Sequence, residues 1–188
     1  MKVHVVGAGG REHALRWALG RTTTIVADPT EADLVVIGPE QPLVEGLADQ
    51  LRAKGIPVFG PGADGARLEG SKAWMKQVLV DAGVPTARHG VFTDEAPAVA
   101  FLRSLPGPYV VKTDGLAAGK GVLVTASFEE AVADVRAKLA RGAVVIEEAL
   151  TGRELSVLAV CDGRRAVPLA PARDYKRVGD ADTGPNTG

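Results

Sequence analysis

The chain has 188 residues, of which 46% are hydrophobic and 4% aromatic, with a formal net charge of -1 at pH 7. This length allows one large domain or two small ones, and the near-zero charge argues against a general nucleic-acid binder, because such domains usually carry a basic excess. One cysteine excludes a disulfide framework and a cysteine metal site, and without an apolar stretch of roughly 18 residues or a signal peptide we expect a cytoplasmic protein with no membrane partner.

The N-terminal segment predicts a strand, a glycine turn and a helix. Residues 3–6 are a short apolar run, Gly7-Ala8-Gly9-Gly10 follows it, and residues 11–19 have a helical pattern. This order opens a nucleotide-binding α/β unit, and a helix N-terminus that follows glycines favours a phosphate group. Arg11 and His13 are candidate ligands for that phosphate, although either residue is equally compatible with a solvated surface.

A dinucleotide-binding oxidoreductase is one interpretation of this turn. Glu12 occupies the third glycine position of the dinucleotide fingerprint, which weakens the match. Asp28, however, ends the next predicted strand (25–27), about where an acid that binds ribose is expected. This alternative therefore depends on Gly7, Gly9 and Asp28.

Two further strands are predicted at residues 34–37 and 57–59, with one helix between them that ends at Gly55. The helix is indicated by apolar residues at helical spacing, namely Leu43, Val44, Leu47 and Leu51. Alternating strands and helices predict a parallel sheet whose ligand-binding loops follow the strands. Glu40, in the Gly38-Pro39-Glu40 loop, is either a ligand-binding residue or an acid placed favourably near a helix N-terminus.

The middle of the chain predicts a helix followed by a small α+β unit. Glu69-Gly70-Ser71-Lys72 opens the helix, whose core face is expected to carry Trp74, Val78 and Leu79. A second helix is predicted up to Ser104, and Ser127 with Glu130 forms a capping box before a third. A strand at residues 144–146 then leads into Glu147 and Glu148.

The stretch between the second and third of these helices carries the strongest chemical signal. Residues 109–111 predict a buried strand that delivers Lys112, and residues 122–124 predict a second strand. The intervening glycine-rich loop (residues 114–121) contains Gly115, Gly119, Lys120 and Gly121. Glycines let backbone N–H groups approach phosphate oxygens, and lysine supplies positive charge. A P-loop is excluded because a strand, not a helix, follows; the loop therefore covers a nucleotide or is a simple glycine-rich hairpin turn.

The remaining residues predict a small antiparallel pair and a polar tail. Residues 155–160 and 166–169 form the pair, joined at Asp162-Gly163, and Cys161 follows the first apolar run as an expected buried thiol. Residues 173–188 are rich in charge and glycine. They suit either a disordered terminus or a loop that binds an anionic substrate.

Taken in order, these segments resemble the glycinamide ribonucleotide synthetases (phosphoribosylamine–glycine ligases) of the ATP-grasp superfamily. The segments that carry the resemblance are Gly9-Gly10-Arg11-Glu12-His13-Ala14, Gly38-Pro39-Glu40, Glu69-Gly70-Ser71-Lys72, Gly83-Val84-Pro85-Thr86-Ala87, residues 111–121, Val145-Ile146-Glu147-Glu148 and residues 176–188. The resemblance implies an α/β fold with a Rossmann-like parallel-sheet domain (1–66), the start of an ATP-grasp core (67–87), a small α+β subdomain (88–150) and a further part of the core (151–188).

The resemblance also implies the reaction and the site. ATP would drive the ligation of glycine to 5-phosphoribosylamine, which gives glycinamide ribonucleotide, ADP and phosphate, with Mg²⁺ as the metal. The implied catalytic residues are Lys112, Asp174, Lys176, Arg177 and Asn186. ATP would be bound by Lys72, Lys112, Gly115, Gly119, Lys120, Gly121, Glu147, Glu148, Leu150 and Glu154. Phosphoribosylamine and glycine would be bound by Gly9, Gly10, Arg11, His13, Gly38, Pro39, Glu40, Asp174, Pro185, Asn186 and Thr187.

Three departures from the family pattern qualify these expectations. The chain stops inside the substrate-loop motif, so we expect an N-terminal portion that is inactive alone and whose Mg²⁺ ligands lie outside it. Only residues 29–33 link the second and third strands, where the family has a longer segment with its own glycine loop. Tyr175 stands where a histidine is expected. A non-catalytic nucleotide-binding module is therefore kept as an alternative, and the oligomeric state is left open.

Overall fold

The computed structural model describes residues 1–117, 121–173, 175, 177–180 and 183–186, without the side chains of Arg177, Pro185 and Asn186. The chain divides into two compact units, Met1–Ala149 and Leu150–Gly188. No helix among the described residues is long and apolar enough to cross a membrane. The finer predicted boundaries at residues 66 and 87 stay predictions.

The first unit begins with the expected parallel sheet. Its strands are β1 (Lys2–Val6), β2 (Thr24–Ile25), β3 (Leu34–Ile37) and β4 (Val58–Phe59), in the order β2-β1-β3-β4 with parallel pairing throughout. Successive side chains of a strand face opposite sides, so the sheet packs on both faces. Helix α1 (Gly10–Leu19) covers Val3 and Val5 on one face, and the residues that follow β3 cover the other.

The connection from β2 to β3 is unusually short. A crossover between parallel strands normally takes a dozen or more residues and contains a helix, whereas here residues 26–33 suffice, with one 3-10 turn at Pro29–Glu31. Asp28 caps this turn, because its carboxylate accepts hydrogen bonds from the backbone N–H (2.8 Å) and the hydroxyl (2.7 Å) of Thr30. Asp28 therefore has a local structural role, and β2 ends at Ile25, before the predicted residue 27.

Four helices follow, where the sequence predicted two. They are α2 (Glu40–Val44), α3 (Leu47–Ala53), α4 (Ala63–Gly70) and α5 (Lys72–Asp81). The prediction of a single helix from Leu43 to Leu51 is wrong because Gly46 adopts a left-handed conformation (φ +83°) that interrupts it. Ser71 caps α5 by accepting a hydrogen bond from the N–H of Trp74 (3.1 Å).

The predicted core face of α5 is wrong at Trp74. Its ring is exposed, and the guanidinium of Arg67 lies 4.0 Å from the ring centroid. The buried residue of α5 is instead a lysine, Lys76. A buried cation on this helix requires a partner from another element.

The second sheet of the first unit is antiparallel. Its strands are β5 (His89–Phe92), β6 (Tyr109–Thr113), β7 (Val122–Thr125) and β8 (Val144–Glu148), in the order β5-β8-β6-β7. Helices α6 (Glu95–Arg103) and α7 (Phe128–Leu139) cover one face and bury Val111, Val144 and Ile146. Ser127 caps α7 as predicted (3.1 Å from Glu130 N), but the Glu130 carboxylate accepts from Thr125, so the reciprocal half of the capping box is absent.

The second unit consists of short antiparallel pairs among its described residues. Its strands are β9 (Leu155–Ser156), β10 (Ala159–Cys161), β11 (Ala166–Pro168), β12 (Ala172–Arg173), β13 (Arg177–Gly179) and β14 (Thr183–Asn186), paired as β10-β11, β12-β9 and β13-β14. The predicted antiparallel pair is confirmed around Asp162-Gly163, where Val160 lies opposite Val167, but it is wrong at residues 155–156, which form the separate strand β9 and pair with β12. The expectation of a buried Cys161 is wrong, because the thiol is exposed on β10.

Candidate functional site

Three charged side chains from separate elements meet on the sheet face opposite α6 and α7. Oε1 of Glu147, on β8, lies 2.8 Å from Nζ of Lys112 on β6. Oε2 of the same carboxylate lies 2.9 Å from Nζ of Lys76 on α5. Lys76 also donates to the hydroxyl of Thr86 (2.7 Å). Glu147 and Lys76 are almost fully buried, whereas Lys112 is partly exposed. We call Lys76, Glu147 and Lys112 the Lys–Glu–Lys cluster.

The cluster keeps Glu147 ionised. Burial raises the pKa of the Glu147 carboxyl, but the contacts with Lys112 and Lys76 outweigh burial and hold the pKa below its ordinary value. Although Lys112 Nζ is near Oε1, no described residue places a hydrogen-bond donor in line with that oxygen.

The base of the glycine-rich loop is closely packed. Gly115 has a φ of +93°, which favours glycine, and a Cβ at Gly121 would lie 2.5 Å from the Cβ of Ala117. Thr113 N donates to the carbonyl of Gly121 (2.8 Å), so the two ends of the loop close as a hairpin between β6 and β7. Lys72 Nζ donates to the carbonyl of Gly115 (2.7 Å), which holds this lysine beside the loop.

A pocket of about 310 Å³ brings the loop together with the N-terminal part of the unit. Its lining consists of Glu40, Glu69, Lys72, Gly115, Leu116, Ala117, Gly121 and Val122. Glu40 follows β3 of the parallel sheet, whereas Gly115 and Gly121 belong to the loop that joins β6 and β7 of the antiparallel sheet. The structure therefore gathers a predicted amine-substrate residue and predicted ATP residues around one space.

Arg11 and Glu40 form an ion pair beside the C-terminal ends of the strands of the parallel sheet. Nη1 of Arg11 donates to Oε1 of Glu40 and to the carbonyl of Gly38, both at 2.8 Å. The hydrogen bond from Arg11 is the main reason why the pKa of Glu40 is lowered and that of Arg11 is raised. His13 is exposed on α1, and Pro39 precedes α2 as its N-cap residue.

Glu12 explains why the glycine turn departs from a dinucleotide fingerprint. Its side chain is buried, and Oε2 accepts a hydrogen bond from Gly9 N (2.7 Å). A Cβ at Gly7 would lie 2.7 Å from Cγ of Glu12, so the glycine makes room for this carboxylate. A pyrophosphate would compete with Glu12 for the Gly9 N–H and would face its negative charge, which argues against the oxidoreductase interpretation. A Cβ added at Gly10 would meet no other atom within 4 Å.

Among the described residues of the first unit, Glu148 is a predicted ATP residue that does not join this site. Glu148 pairs with Tyr109 across the sheet and accepts from Arg88 N (2.8 Å), so it faces the side opposite to Lys112. Leu150 and Glu154 belong to the second unit, and their contacts with ATP stay predictions. The remaining predicted residues lie outside the described residues, or their side chains do, namely Gly119, Lys120, Asp174, Lys176, Arg177, Pro185, Asn186 and Thr187.

Sequence reasoning missed Lys76. Its spacing of four residues from Lys72 places both lysines on one side of α5, and this is the local signal that was present. Its burial and its contact with Glu147 depend on long-range packing. Among the described residues, no group of three His, Cys, Asp or Glu side chains could hold a metal ion, and the expectation that Mg²⁺ ligands lie outside this chain stays a prediction.

Family models of phosphoribosylglycinamide synthetase match most of the chain. The N-domain model matches residues 22–69, and the ATP-grasp (A) domain model matches residues 70–188. A phosphoribosylamine–glycine ligase of Synechocystis sp. is 44% identical over 223 aligned positions, which cover the whole chain and 53% of that protein. The ligase of the same name from Streptomyces coelicolor is 48% identical, over the whole chain and 52% of its own length.

The chain spans about half the length of the curated relatives it matches. Since the 223 aligned positions exceed the 188 residues of this chain, the Synechocystis protein also has residues within the aligned part that this chain lacks. The short β2–β3 connection is one place where such a difference fits the structure.

Solved structures agree with an ATP-grasp fold. The phosphoribosylamine–glycine ligase from Thermotoga maritima has a TM-score of 0.80 and 34% identity, over the whole chain and 54% of that protein. An N5-carboxyaminoimidazole synthase from Aspergillus clavatus, solved in complex with ADP and an aminoimidazole ribonucleotide, has a TM-score of 0.73 over 96% of this chain and 54% of that protein. At 17% identity, the second likeness shows the fold alone. The predicted fold, a parallel-sheet domain followed by part of an ATP-grasp domain, is confirmed.

Proposed function

The chain belongs to the phosphoribosylglycinamide synthetase family, and from this premise we propose that it carries the nucleotide site and part of the substrate site for the ATP-driven ligation of glycine to 5-phosphoribosylamine. The observation that carries the proposal is the pocket that Glu40 shares with Lys72 and the glycine-rich loop. A ligase of this kind must bring a phosphorylated acid and an amine within reach of each other. A pocket lined by both predicted sets of residues meets that requirement.

The described residues fit ATP. Lys72 lines the pocket, and Lys112, which is partly exposed, supplies a further cation on the adjoining sheet face. The same face exposes Val122 and Val124, which offer apolar surface to a base.

The proposed chemistry proceeds in two steps. A carboxylate oxygen of glycine attacks the γ-phosphorus of ATP, the bond to the β-phosphate oxygen breaks, and ADP leaves with the formation of an acyl phosphate. The amine nitrogen of phosphoribosylamine then attacks the acyl carbon, loses a proton, and expels phosphate to give the amide. Both steps require positioning and neutralisation of charge rather than a protein nucleophile.

The roles of the residues follow from their places. Lys112 and Lys72 neutralise phosphate charge, and Glu40 accepts hydrogen bonds from the amine substrate. Among the described residues, no three His, Cys, Asp or Glu side chains come together as metal ligands, and no step is assigned to a metal. We also propose a cytoplasmic location, because the reaction draws on a pool of ATP, and small molecules as the reaction partners.

Calorimetric titration and product analysis test the proposal. We expect the 188-residue chain to bind ATP and not NADH. Since the resemblance implies that the Mg²⁺ ligands lie outside this chain, we expect it to release no ADP in response to glycine. A fusion to the remaining length of a relative should release ADP over many turnovers only when glycine and phosphoribosylamine are both present, because the amine must consume the acyl phosphate before the next ATP reacts.

Each outcome selects one interpretation. Nucleotide binding without ADP release, even in the fusion, would favour a non-catalytic module. Tight NADH binding that Asp28→Ala abolishes would favour an oxidoreductase and overturn the proposal. Full turnover by the 188-residue chain would mean that its own residues complete the site, including any metal ligands.

A further inference from the structure

Asp114 joins the antiparallel sheet to helix α5. It follows β6 directly, and its backbone N–H donates to the carbonyl of Ala143, just before β8 (3.1 Å). Its carboxylate reaches the first turn of α5, where it accepts hydrogen bonds from the hydroxyl of Ser71 (3.2 Å to Oδ1 and 3.1 Å to Oδ2) and from the N–H of Ala73 (3.2 Å). One side chain thus bridges elements that are more than 40 residues apart in sequence.

Neighbouring contacts reinforce this bridge. Ser71 accepts from Trp74 N while it donates to Asp114, so the cap of α5 and the bridge share one hydroxyl. Lys72 donates to the carbonyl of Gly115, the next residue of the loop (2.7 Å). Hydrogen bonds to an ionised carboxylate are stronger than neutral ones, and a negative group is favoured at a helix N-terminus. We call Asp114 and its two donors the loop anchor.

The loop anchor and the Lys–Glu–Lys cluster join α5 to the antiparallel sheet at two points. Helix α5 carries Lys76 within one turn of Ala73, and β6 carries Lys112 two residues before Asp114. Glu147 contacts both lysines. If the anchor is lost, the first turn of α5 is released from the loop, and Lys72 and Lys76 can shift relative to Lys112.

We infer that Asp114 is a positioning residue for phosphate binding, which holds the lysines of α5 in register with Lys112 and with the base of the glycine-rich loop. The inference rests on the proposed function, since that function supplies ATP as the ligand. Asp114 does not act as a phosphate ligand, because its charge would repel phosphate and its oxygens are bonded to α5. A displacement of about 1 Å in such a positioning contact can cost roughly 100-fold.

The test compares Asp114→Ala, Asp114→Asn and a matched control, Ser127→Ala. The control removes the cap of α7, where Ser127 accepts from Glu130 N (3.1 Å), away from the loop. Hydrogen exchange of the Ala73 amide reports on the anchor without any ligand. Affinity for ATP is measured by calorimetry, and affinity for adenosine, which has no phosphate, by saturation-transfer NMR.

Asp114→Ala should raise the exchange rate of Ala73 at least about tenfold and weaken ATP binding about 10- to 100-fold, with adenosine changed less than about twofold. Compared with Asp114→Ala, Asp114→Asn should recover much of the protection of the Ala73 amide and much of the ATP affinity, because its amide oxygen still accepts from Ala73 N. Ser127→Ala should raise exchange at Glu130 and leave ATP affinity unchanged. A purely structural role of Asp114 would not produce this difference between ATP and adenosine.

Three results would overturn the inference: unchanged exchange at Ala73 in Asp114→Ala, equal losses for ATP and adenosine, or full ATP affinity in a protein whose Ala73 amide has lost protection. If the wild-type chain does not bind ATP, the proposed function fails. Titration with inorganic tripolyphosphate then decides the inference separately, since converging lysines should still bind it and Asp114→Ala should weaken that binding.

Discussion

The two sheets of the first unit each carry an acid–base contact of 2.8 Å, yet the two contacts differ in kind. At the parallel sheet, the side chains of Arg11 and Glu40 are 61% and 45% exposed. At the antiparallel sheet, the Glu147 side chain is only 6% exposed and lies between two lysines. Water and salt screen the first pair, so it contributes little to stability. In the Lys–Glu–Lys cluster, removing one charged side chain should strongly destabilise the fold, because a buried charge without its partner costs free energy.

Replacing Glu147 should therefore have the largest effect. Glu147→Gln leaves Lys76 buried without its counter-charge, and loss of one partner from a buried pair costs about 3–5 kcal/mol. We expect a value of about 3 kcal/mol, because Lys112 is partly exposed and can regain water. Urea unfolding followed by the fluorescence of Trp17 and Trp74, which both lie in the first unit, measures it.

The double variant Glu147→Gln/Lys76→Met controls for the stranded charge. It should recover part of the lost stability, because the methionine no longer brings a buried cation into the folded state. A loss below about 1 kcal/mol in Glu147→Gln would contradict the contrast between the two sheets.

Removing Lys112 should affect ligand binding more than stability. A hydrogen bond to a charged group contributes roughly 1.5–3 kcal/mol, so Lys112→Met should weaken ATP binding by about one to two orders of magnitude. The sequence alone suggests an unchanged apo protein, but the contact with Glu147 changes this expectation to a loss of about 1 kcal/mol. Calorimetry and urea unfolding measure the two effects.

Lys138→Met is the matched control for Lys112→Met. Lys138 is also a lysine paired with a carboxylate, that of Asp134, but it is more deeply buried than Lys112 and lies on α7. The Lys138→Met variant should be less stable than the wild type, with no change in its affinity for ATP. Equal effects of the two variants on ATP binding would show that Lys112 acts through the fold alone.

Local patterns in the sequence predicted most of the strands and the place of the glycine-rich loop. The segments at β1, β3 and β6 are short apolar runs, and the burial of most of their residues follows from that pattern. The break at Gly46 was missed because a glycine within an apolar helical pattern does not reveal a positive φ. The exposure of Trp74 and the burial of Lys76 were missed for another reason: they depend on which face of α5 meets β8, about 70 residues later in the chain.

The candidate site was predicted in the same uneven way. Lys112, Gly115 and Glu40 were identified from motifs, and the structure places them around the pocket or beside it. The pairing of Glu147 with two lysines could not be predicted, since it joins three elements through tertiary packing. Pairing of this kind decides which acids are buried, and therefore which of them respond to pH.

Lowering the pH should also affect the ion pairs of the two sheets differently. The pKa of Glu147 in the folded chain lies below its ordinary value of 4.5. The stability that this carboxylate contributes is thus present above pH 4.5 and is lost as the pH falls through 4.5 towards the lower folded pKa. The difference in unfolding free energy between the wild type and Glu147→Gln should shrink over this range.

The same pH series with Glu40→Gln measures how the stability contributed by the exposed Arg11–Glu40 pair changes with pH. The pKa of Glu40 is also lowered, chiefly by the hydrogen bond from Arg11, so its contribution is lost in the same direction as the pH falls. Because solvent screens this pair, the change should be much smaller. A pH dependence as large as that of Glu147→Gln would contradict the comparison.

Salt should produce the smallest effect, and only at the exposed pair. Each of Arg11→Gln and Glu40→Gln should lower stability by less than about 1 kcal/mol, and their double-mutant coupling should be about 0.5 kcal/mol at low salt. At 1 M salt the Debye length falls to about 3 Å, so this coupling should approach zero while the loss in Glu147→Gln persists. Urea unfolding of the wild type, both single variants and the double variant at 0.05 and 1 M NaCl (about 14 and 3 Å screening lengths) gives both values. A coupling that stays above about 1 kcal/mol at high salt would show that Arg11 and Glu40 hold each other by geometry, as the Lys–Glu–Lys cluster does, and the two sheets would then not differ in the way their exposure indicates.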